Sequence, residues 1–190
     1  MQNNFRERGA LSIFVKKNME FIAKKLDDYV CAHSENEPAV LSELNRKTHV
    51  SVLQPRMLSG HFQGRVLSML SHMIQPNSIL EIGTYTGYSA ICFAEGLQKN
   101  GKIITIDVNE ELEDLVREYI SKSQNNHSIE YIIGDAMKLI PHLKEERQKL
   151  EIICSFIEDV TTEGPKVSKL HFNFGRHKSD FVWGKKHIIF

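Results

Sequence analysis

The 190-residue chain has little cysteine, no net charge and no long apolar run. Its three cysteines, Cys31, Cys92 and Cys154, form no CxxC pair and no metal-ligand spacing, which argues against a disulfide framework and predicts a reducing compartment. No apolar run approaches the roughly 20 residues of a membrane span, and Leu11 to Val15 is too short for the core of a signal peptide. We therefore expect a cytoplasmic protein whose cysteines are ordinary packing residues.

The balanced charge hides an uneven distribution. Lysine plus arginine number 24 and so do aspartate plus glutamate, which excludes a chain whose main role is to wrap nucleic acid or coat an anionic membrane. Residues 1–163 carry 18 basic and 23 acidic side chains, whereas residues 164–190 carry six basic and one acidic. The sequence therefore predicts a basic C-terminal segment unlike the rest, with no nucleic-acid and no membrane partner.

The length and the 41% apolar content predict a single domain that opens with helices. Residues 1–18 have no clear period and are left unassigned. Apolar spacing predicts a helix from Met19 to Cys31, a second opened by Glu37-Pro38, and a third capped by Ser59. The apolar residues of the third helix are Phe62, Val66, Leu67, Leu70, Met73 and Ile74.

From residue 76 the pattern changes to alternating strands and helices. Strands are predicted over Ser78–Ile82, Lys102–Ile106, Ser128–Ile133 and Leu150–Ile157. Three helices are predicted between and after these strands: one from Tyr88 to Gln98, one that Asn109 caps, and a short one that Asp135 caps. The predicted buried face of the second consists of Leu112, Leu115, Val116, Tyr119 and Ile120. This alternation indicates right-handed βαβ units, and the fold class is α/β with a mostly parallel sheet and extra N-terminal helices.

The turn after the first strand is the first candidate binding site, because ligands of open parallel sheets lie beyond the carboxyl ends of the strands. Gly83 permits a close approach of the backbone to a ligand, and Gly87 lets the chain enter the next helix without a Cβ clash. The turn has neither the third glycine of a dinucleotide-binding loop nor the lysine of a P-loop. An NAD-binding domain is therefore disfavoured.

Three carboxylates near the strand ends extend this site. Asp107 ends the second strand and can accept both hydroxyls of a ribose, although it could also be a plain strand-end residue. Asp135 with Ala136 could border an adenine, although Asp135 could equally only cap its helix. Glu81, within an apolar strand, requires a buried partner, which the cationic amino-acid portion of a ligand or its ordered backbone would provide.

Four sequence motifs resemble those of a known protein family. In order they are SGHFQGRVLSML (59–70), LEIGTYTGYSA (80–90), ITIDVN (104–109) and IGDAMKLIP (133–141). From about Asp28 to Leu143 the chain resembles the class I S-adenosylmethionine-dependent O-methyltransferases, specifically the catechol and caffeoyl-CoA group and its bacterial relatives. The resemblance implies a Rossmann-like methyltransferase fold with helices on both sheet faces, spanning residues 19–163, with N-terminal helices over 19–75 and a cofactor-binding core over 76–163.

The resemblance also implies roles for single residues. The cofactor-binding positions that it carries over are Ser59, Glu81, Gly83, Thr84, Tyr85, Ser89, Asp107, Asp135 and Ala136, with Tyr88 beside Tyr85 in the wall of the site. Asp107 would hold the ribose, Asp135 and Ala136 would border the adenine, and the glycine turn would line the methionine part. The implied reaction is methyl transfer from S-adenosylmethionine to a small catechol-like hydroxyl, by an enzyme that is commonly a homodimer.

The family pattern stops before the metal half of the site. The resemblance implies a divalent metal such as Mg²⁺, held by an Asp-Ala-Asp-Lys block after the fourth strand and an Asp-Asn pair after the fifth. Neither block is present: Glu158-Asp159 and Asp180 stand in roughly those places, with Phe181 where the asparagine should be. They could form a hard-cation site, but solvated loops are favoured. We read His171, His177 and His187 as surface residues, because nothing holds them at a ligand spacing.

The last forty residues are also few for the remaining strands and crossover helices, so we expect the C-terminal part of the sheet to be incomplete or altered. They contain three β-like runs instead, Leu170–Phe174, Phe181–Trp183 and His187–Phe190. Either the chain is a divergent methyltransferase with a rebuilt C-terminal section, or its residues after about 145 belong to a shortened or frame-shifted product; the charge reversal favours the second. A non-catalytic S-adenosylmethionine-binding protein is the alternative function.

Overall fold

Within the described part of the chain, three α-helices lie before the first strand, as predicted. The computed structural model describes residues 23–146 and, beyond them, the strand segments 152–155, 172–174, 177–179, 182–183 and 188–189. The helices are α1 (Lys24–Ala32), α2 (Ala39–Ser51) and α3 (Gly60–Ile74). The predicted start of the first helix at Met19 lies outside the described residues. None of the described helices is long and apolar enough to cross a membrane.

A parallel four-stranded sheet forms the centre of the domain. Its strands are β1 (Ser78–Ile82), β2 (Lys102–Asp107), β3 (Ile129–Ile133) and β4 (Ile152–Ser155). They lie in the order β3-β2-β1-β4, and every pairing is parallel. The connecting helices are α4 (Tyr88–Ala94), α5 (Glu113–Lys122) and α6 (Ala136–Glu146). This arrangement confirms the α/β class and the alternating strands and helices predicted from the sequence.

The two faces of the sheet are covered by different helices, because successive strand residues point to opposite faces. Ile79 and Ile103 pack with buried residues of α2 to α5, among them Leu44 and Phe93. Leu80, Ile104 and Ile106 instead pack against α6. The predicted buried face of α5 is confirmed, since Val116, Tyr119 and Ile120 are buried while Leu112 and Leu115 are partly buried.

Three predicted details of the helices are wrong. Ser59 does not cap α3 through its side chain: its backbone is already helical, with φ −58° and ψ −41°, whereas a capping residue is usually extended. Met73 is 74% exposed and so does not face the core. Helix α4 ends at Ala94 instead of Gln98, and Gly96 follows in a turn that packs directly against the backbone of α3.

The described strands beyond β4 do not extend the parallel sheet. Strand β5 (Phe172–Phe174) pairs antiparallel with β6 (His177–Ser179), and β7 (Val182–Trp183) pairs antiparallel with β8 (Ile188–Ile189). Three of these four strands lie within the predicted β-like runs, which agrees with an altered C-terminal part. The sequence did not predict β6, because its His-Lys-Ser segment has no apolar alternation.

The tight crossing at Gly96 yields a stability prediction. An alanine Cβ at Gly96 would lie 2.2 Å from the backbone nitrogen of His72 and 2.3 Å from the backbone carbonyl carbon of Ser71. Backbone atoms cannot rotate away, so Gly96→Ala should lower the free energy of unfolding by about 2 kcal/mol or more. Urea denaturation measures this change. Gln98→Ala, on an exposed side chain two residues away, is the control, and equal stability of the two variants would contradict the proposed crossing.

Candidate functional site

The turn between β1 and α4 is held by one backbone hydrogen bond to the sheet and by one within the turn itself. The Gly83 N–H donates to the Ile106 carbonyl at 2.8 Å, and the Gly87 N–H donates to the Thr84 carbonyl at 2.8 Å. Gly83 and Gly87 have φ of +94° and +85°, a region that favours glycine. A Cβ at Gly87 would make an ordinary 3.5 Å contact with Val116. The need for glycine there comes from the local backbone: at this φ a Cβ would crowd the neighbouring carbonyl oxygen, as predicted, whereas it would not clash with α5.

Asp107 is fixed at the end of β2, directly beside this turn. Its Oδ2 accepts the Tyr85 N–H at 2.7 Å, and its Oδ1 accepts the Asn109 N–H at 3.0 Å. Its backbone carbonyl accepts the Gly134 N–H at 2.8 Å, which joins the end of β2 to the loop after β3. The carboxylate is half-buried. The structure thus brings the glycine turn, Asp107 and the loop after β3 together at one edge of the sheet.

Glu81 lies beneath the turn with no accessible surface. Its Oε1 accepts the Ser89 hydroxyl at 2.6 Å, and its Oε2 accepts the Thr105 hydroxyl at 2.5 Å. The hydroxyls of Thr84 and Thr105 are 2.6 Å apart. Because the single hydroxyl proton of Thr105 goes to Glu81, Thr84 is the donor in that pair. The buried partner that the sequence analysis required for Glu81 is therefore a set of hydroxyl groups.

Burial changes the protonation of this carboxyl. The pKa of Glu81 is raised to about 7: desolvation is the main cause, the hydrogen bonds from Ser89 and Thr105 oppose it, and the nearby Asp107 charge adds to the rise. Since Glu81 has no accessible surface and Ser89 is only 5% exposed, these two residues support the turn from below. Thr84 is buried with them, so the turn presents mainly its backbone and Tyr85 to solvent.

The loop after β3 is more open. The Asp135 Oδ1 accepts the Met137 N–H at 2.9 Å, so Asp135 does cap α6, as one reading of the sequence predicted. Its side chain is 47% exposed, and the cap leaves the other oxygen facing Lys138 at 3.9 Å. Ala136 is half-buried and packs against the face of the sheet under α6. Asp135 can therefore both cap the helix and offer an acceptor to a ligand.

The sequence analysis missed three features beside the site. The Tyr85 hydroxyl lies 3.2 Å from the carbonyl oxygens of both Leu53 and Gln54 and shares its one proton between them, which ties the turn to the segment before α3. Val108 and Met137 follow the ends of β2 and β3, and their apolar side chains are 70% and 82% exposed. The available sequence signal was an apolar residue one or two positions after the aspartate near each strand end: Val108 directly after Asp107, and Met137 two residues after Asp135. Nothing in the sequence indicates the Tyr85 contact.

The metal candidates Glu158, Asp159 and Asp180 lie outside the described residues. Within the part of the chain that the structure describes, no group of three histidine, cysteine, aspartate or glutamate side chains could hold a metal ion. Of the three cysteines, Cys31 is half-buried and Cys92 fully buried, and both are free thiols. Burial raises the pKa of the Cys92 thiol, which suits the predicted packing role.

The fold is that of a Rossmann-like methyltransferase. A family model described as O-methyltransferase matches residues 31–166, which is well over half of the chain. The chain therefore belongs to the O-methyltransferase family. The match continues beyond Leu143, where the sequence analysis ended the resemblance, and includes the Glu158-Asp159 pair. That limit was wrong.

Curated relatives agree with this assignment. The chain is 32% identical over 112 residues to a caffeoyl-CoA O-methyltransferase of Petroselinum crispum, covering 58% of this chain and 45% of that protein. It is 33% identical over 84 residues to a catechol O-methyltransferase of Niastella koreensis, covering 44% of this chain and 38% of that protein. The chain thus spans less than half the length of these curated relatives.

Solved structures give the same fold. An O-methyltransferase from Bacillus cereus, in complex with S-adenosylhomocysteine, matches with a TM-score of 0.63 and 27% identity, over 69% of this chain and 60% of that one. The Streptomyces achromogenes O-methyltransferase TomG, in complex with S-adenosylmethionine, matches with a TM-score of 0.64 and 25% identity, over 70% and 60%. These neighbours confirm the predicted Rossmann-like methyltransferase fold.

The buried carboxyl yields a prediction on stability and pH. The pKa of Glu81 is about 7 in the folded chain against 4.5 as the ordinary value, so the folded state holds the proton more tightly than the unfolded state. Stability should therefore fall as the pH rises from about 4.5 to 7, by about 3 kcal/mol relative to Glu81→Gln. Urea denaturation at pH 5, 6, 7 and 8 measures the difference. The matched control is Glu110→Gln on an exposed glutamate, and parallel profiles for wild type and Glu81→Gln would contradict the prediction.

Proposed function

We propose that this chain binds S-adenosylmethionine across the carboxyl ends of β1, β2 and β3 and transfers its methyl group to a hydroxyl of a small, catechol-like acceptor. The carrying observation is the fixed position of Asp107, whose Oδ2 accepts the N–H of Tyr85 in the glycine turn at 2.7 Å. This bond fixes the distance between Asp107, which would accept the ribose hydroxyls, and the glycine turn, which would bind the methionine part. The family match and the S-adenosylmethionine named with TomG support the choice of ligand.

Asp107 retains the capacity to bind a ribose. Each of its oxygens already accepts one backbone N–H, from Tyr85 or from Asn109. A carboxylate has about four acceptor sites, so each oxygen can accept one further hydrogen bond. A ribose offers two adjacent hydroxyl donors. The residues present therefore fit a ribose at the end of β2 without any loss of the bonds that hold the turn.

The surface next to Asp107 fits an adenine. Val108 exposes an apolar side chain directly after β2, and Met137 exposes one in the first turn of α6, where Ala136 directly precedes it. An aromatic base that covers these side chains removes apolar surface from water, which stabilises the bound state. The half-exposed Asp135 carboxylate can accept from an exocyclic amine of the base.

The turn itself would hold the methionine part. S-adenosylmethionine, when bound, supplies an electrophilic methyl group on a sulfonium. Gly83 lets the backbone approach the ligand, while Tyr85, tied by its hydroxyl to the Leu53 and Gln54 carbonyls, walls that side of the site. Methyl transfer is an in-line displacement, so the alignment of the acceptor oxygen against the methyl carbon would supply most of the acceleration. In this proposal Glu81 and Ser89 act through the turn that they support.

The second candidate is a protein that binds S-adenosylmethionine without catalysis. It is favoured by the sequence of the C-terminal section, where Glu158-Asp159 replaces the expected Asp-Ala-Asp-Lys block and Phe181 replaces an asparagine. A divalent metal that acidifies the acceptor hydroxyl would then have no complete ligand set. The two candidates share the cofactor site and differ only in the acceptor half. The homodimer implied by the resemblance belongs to the proposal as well.

The cofactor site is tested by calorimetry on the purified chain. S-adenosylmethionine and S-adenosylhomocysteine should bind, whereas NAD should not. Asp107→Ala should weaken binding by about tenfold or more, because hydrogen bonds to a charged group contribute about 1.5–3 kcal/mol. Asp114→Ala removes an exposed carboxylate from the first turn of α5 and is the matched control. Equal affinities of the two variants would refute the ribose assignment, and binding of NAD alone would refute the proposed ligand.

The acceptor half is tested by a methyl-transfer assay. Wild-type chain is incubated with S-adenosylmethionine, Mg²⁺ and a catechol, and methylated product is measured by mass spectrometry. The proposal expects product, and expects about tenfold less from Asp107→Ala at a cofactor concentration below saturation. If the chain binds the cofactor but yields no product with or without Mg²⁺, Mn²⁺ or Ca²⁺, the non-catalytic alternative is the correct one.

A further inference from the structure

Glu81 is a buried carboxyl that lacks a positive partner. It has no accessible surface, and its hydrogen-bond donors are the neutral hydroxyls of Ser89 and Thr105, at 2.6 and 2.5 Å. Within the described residues no lysine, arginine or histidine forms an ion pair with it. A carboxylate buried in this way ionises at a cost that a nearby positive charge would offset.

Among the described residues, the elements packed around Glu81 supply no such charge. On β2 the neighbouring groups are Thr105 and the anionic Asp107, and on α4 they are Ser89 and the buried thiol of Cys92. On β4, Cys154 holds the register position opposite Glu81. The nearby cation on α3 is the Arg65 guanidinium, which is paired with Glu95 instead: it donates to both oxygens of that carboxylate, at 2.9 and 3.0 Å.

We propose that Glu81 is the residue by which the site discriminates the cationic S-adenosylmethionine from its uncharged-sulfur product, S-adenosylhomocysteine. This inference rests on the proposed function. The turn over Glu81 would hold the methionine part, and the two ligands differ there by one methyl group and one positive charge. A sulfonium near the turn attracts an ionised Glu81 through a low-dielectric environment, whereas a thioether does not. Ionised Glu81 therefore favours the substrate over the product.

This selectivity should depend on pH in a defined direction. Below the pKa of Glu81 the carboxyl is neutral and discriminates weakly; above it the carboxylate is present and favours the sulfonium. Burial raises that pKa to about 7, which places the change within an accessible range. The ratio of the two affinities, substrate over product, should rise by about tenfold between pH 6 and pH 8. By linkage, S-adenosylmethionine binding should release a proton near pH 7.

Two variants separate this effect from others. Glu81→Gln keeps a hydrogen-bonding side chain of the same shape and should make the affinity ratio independent of Glu81 titration. The α-amino group of each ligand also titrates, near pH 7.7–8.0 in a model peptide, and comparison with Glu81→Gln cancels that contribution. Thr105→Val keeps the carboxyl but removes a donor to it, so the rise in the ratio should move to higher pH.

The experiment is calorimetry with S-adenosylmethionine and S-adenosylhomocysteine at pH 6, 7 and 8, on folded wild type and both variants. Two buffers of different ionisation enthalpy report proton release. A wild-type ratio that does not change with pH, or that changes equally in Glu81→Gln, overturns the inference while leaving the proposed function intact. No binding of either ligand by wild type at any pH overturns the proposed function itself. A rise in wild type that is absent in Glu81→Gln supports the inference.

Discussion

The parallel alignment of β1 with β2 is the constraint on which the site depends. Their register pairs Ile82 with Ile106, so both strands end at the same edge. The ladder then continues into the loops, because the Gly83 N–H donates to Ile106 and the Gly134 N–H donates to Asp107. The loops that would touch a ligand are therefore positioned by the same kind of hydrogen bond as the sheet. A turn that continues a strand ladder has little freedom left to lose when a ligand binds.

Much of this edge could be predicted from the sequence, because its determinants are local. Short apolar runs bounded by turn residues predicted all four parallel strands. The place of Asp107 at the end of a strand was enough to predict it as a candidate binding residue. Asn109 was predicted as a cap, and its side chain does accept the Glu111 N–H at 2.9 Å. Each of these inferences uses residues within a few positions of one another. The local sequence is therefore sufficient to predict an element whose conformation is determined by neighbouring residues.

The rest depends on contacts between distant segments. Tyr85 has φ of +51° and donates to Leu53 and Gln54, a contact between residues more than thirty positions apart. Helix α4 ends early because the chain after it must pass against the backbone of α3 at Gly96. Strand β6 exists through its pairing with β5 and has no apolar pattern of its own. Periodicity describes one element at a time, so it does not report the constraints that a second element imposes.

The environment of Glu81 could be predicted in part from the local sequence, and the rest depends on contacts with distant segments. The sequence alone predicts that a carboxyl in an apolar strand needs a hydrogen-bond partner. In the structure these partners are the hydroxyls of Ser89 and Thr105, and the Thr84 hydroxyl donates in turn to Thr105. Hydroxyl donors favour the ionised form but carry no net charge, so they offset only part of the desolvation cost. Asp107, held nearby at the end of β2, adds a second negative charge. A strand edge that holds two neighbouring carboxylates is best complemented by a cation, and in the proposed methyl transfer the sulfonium would be a cation that the reaction itself removes.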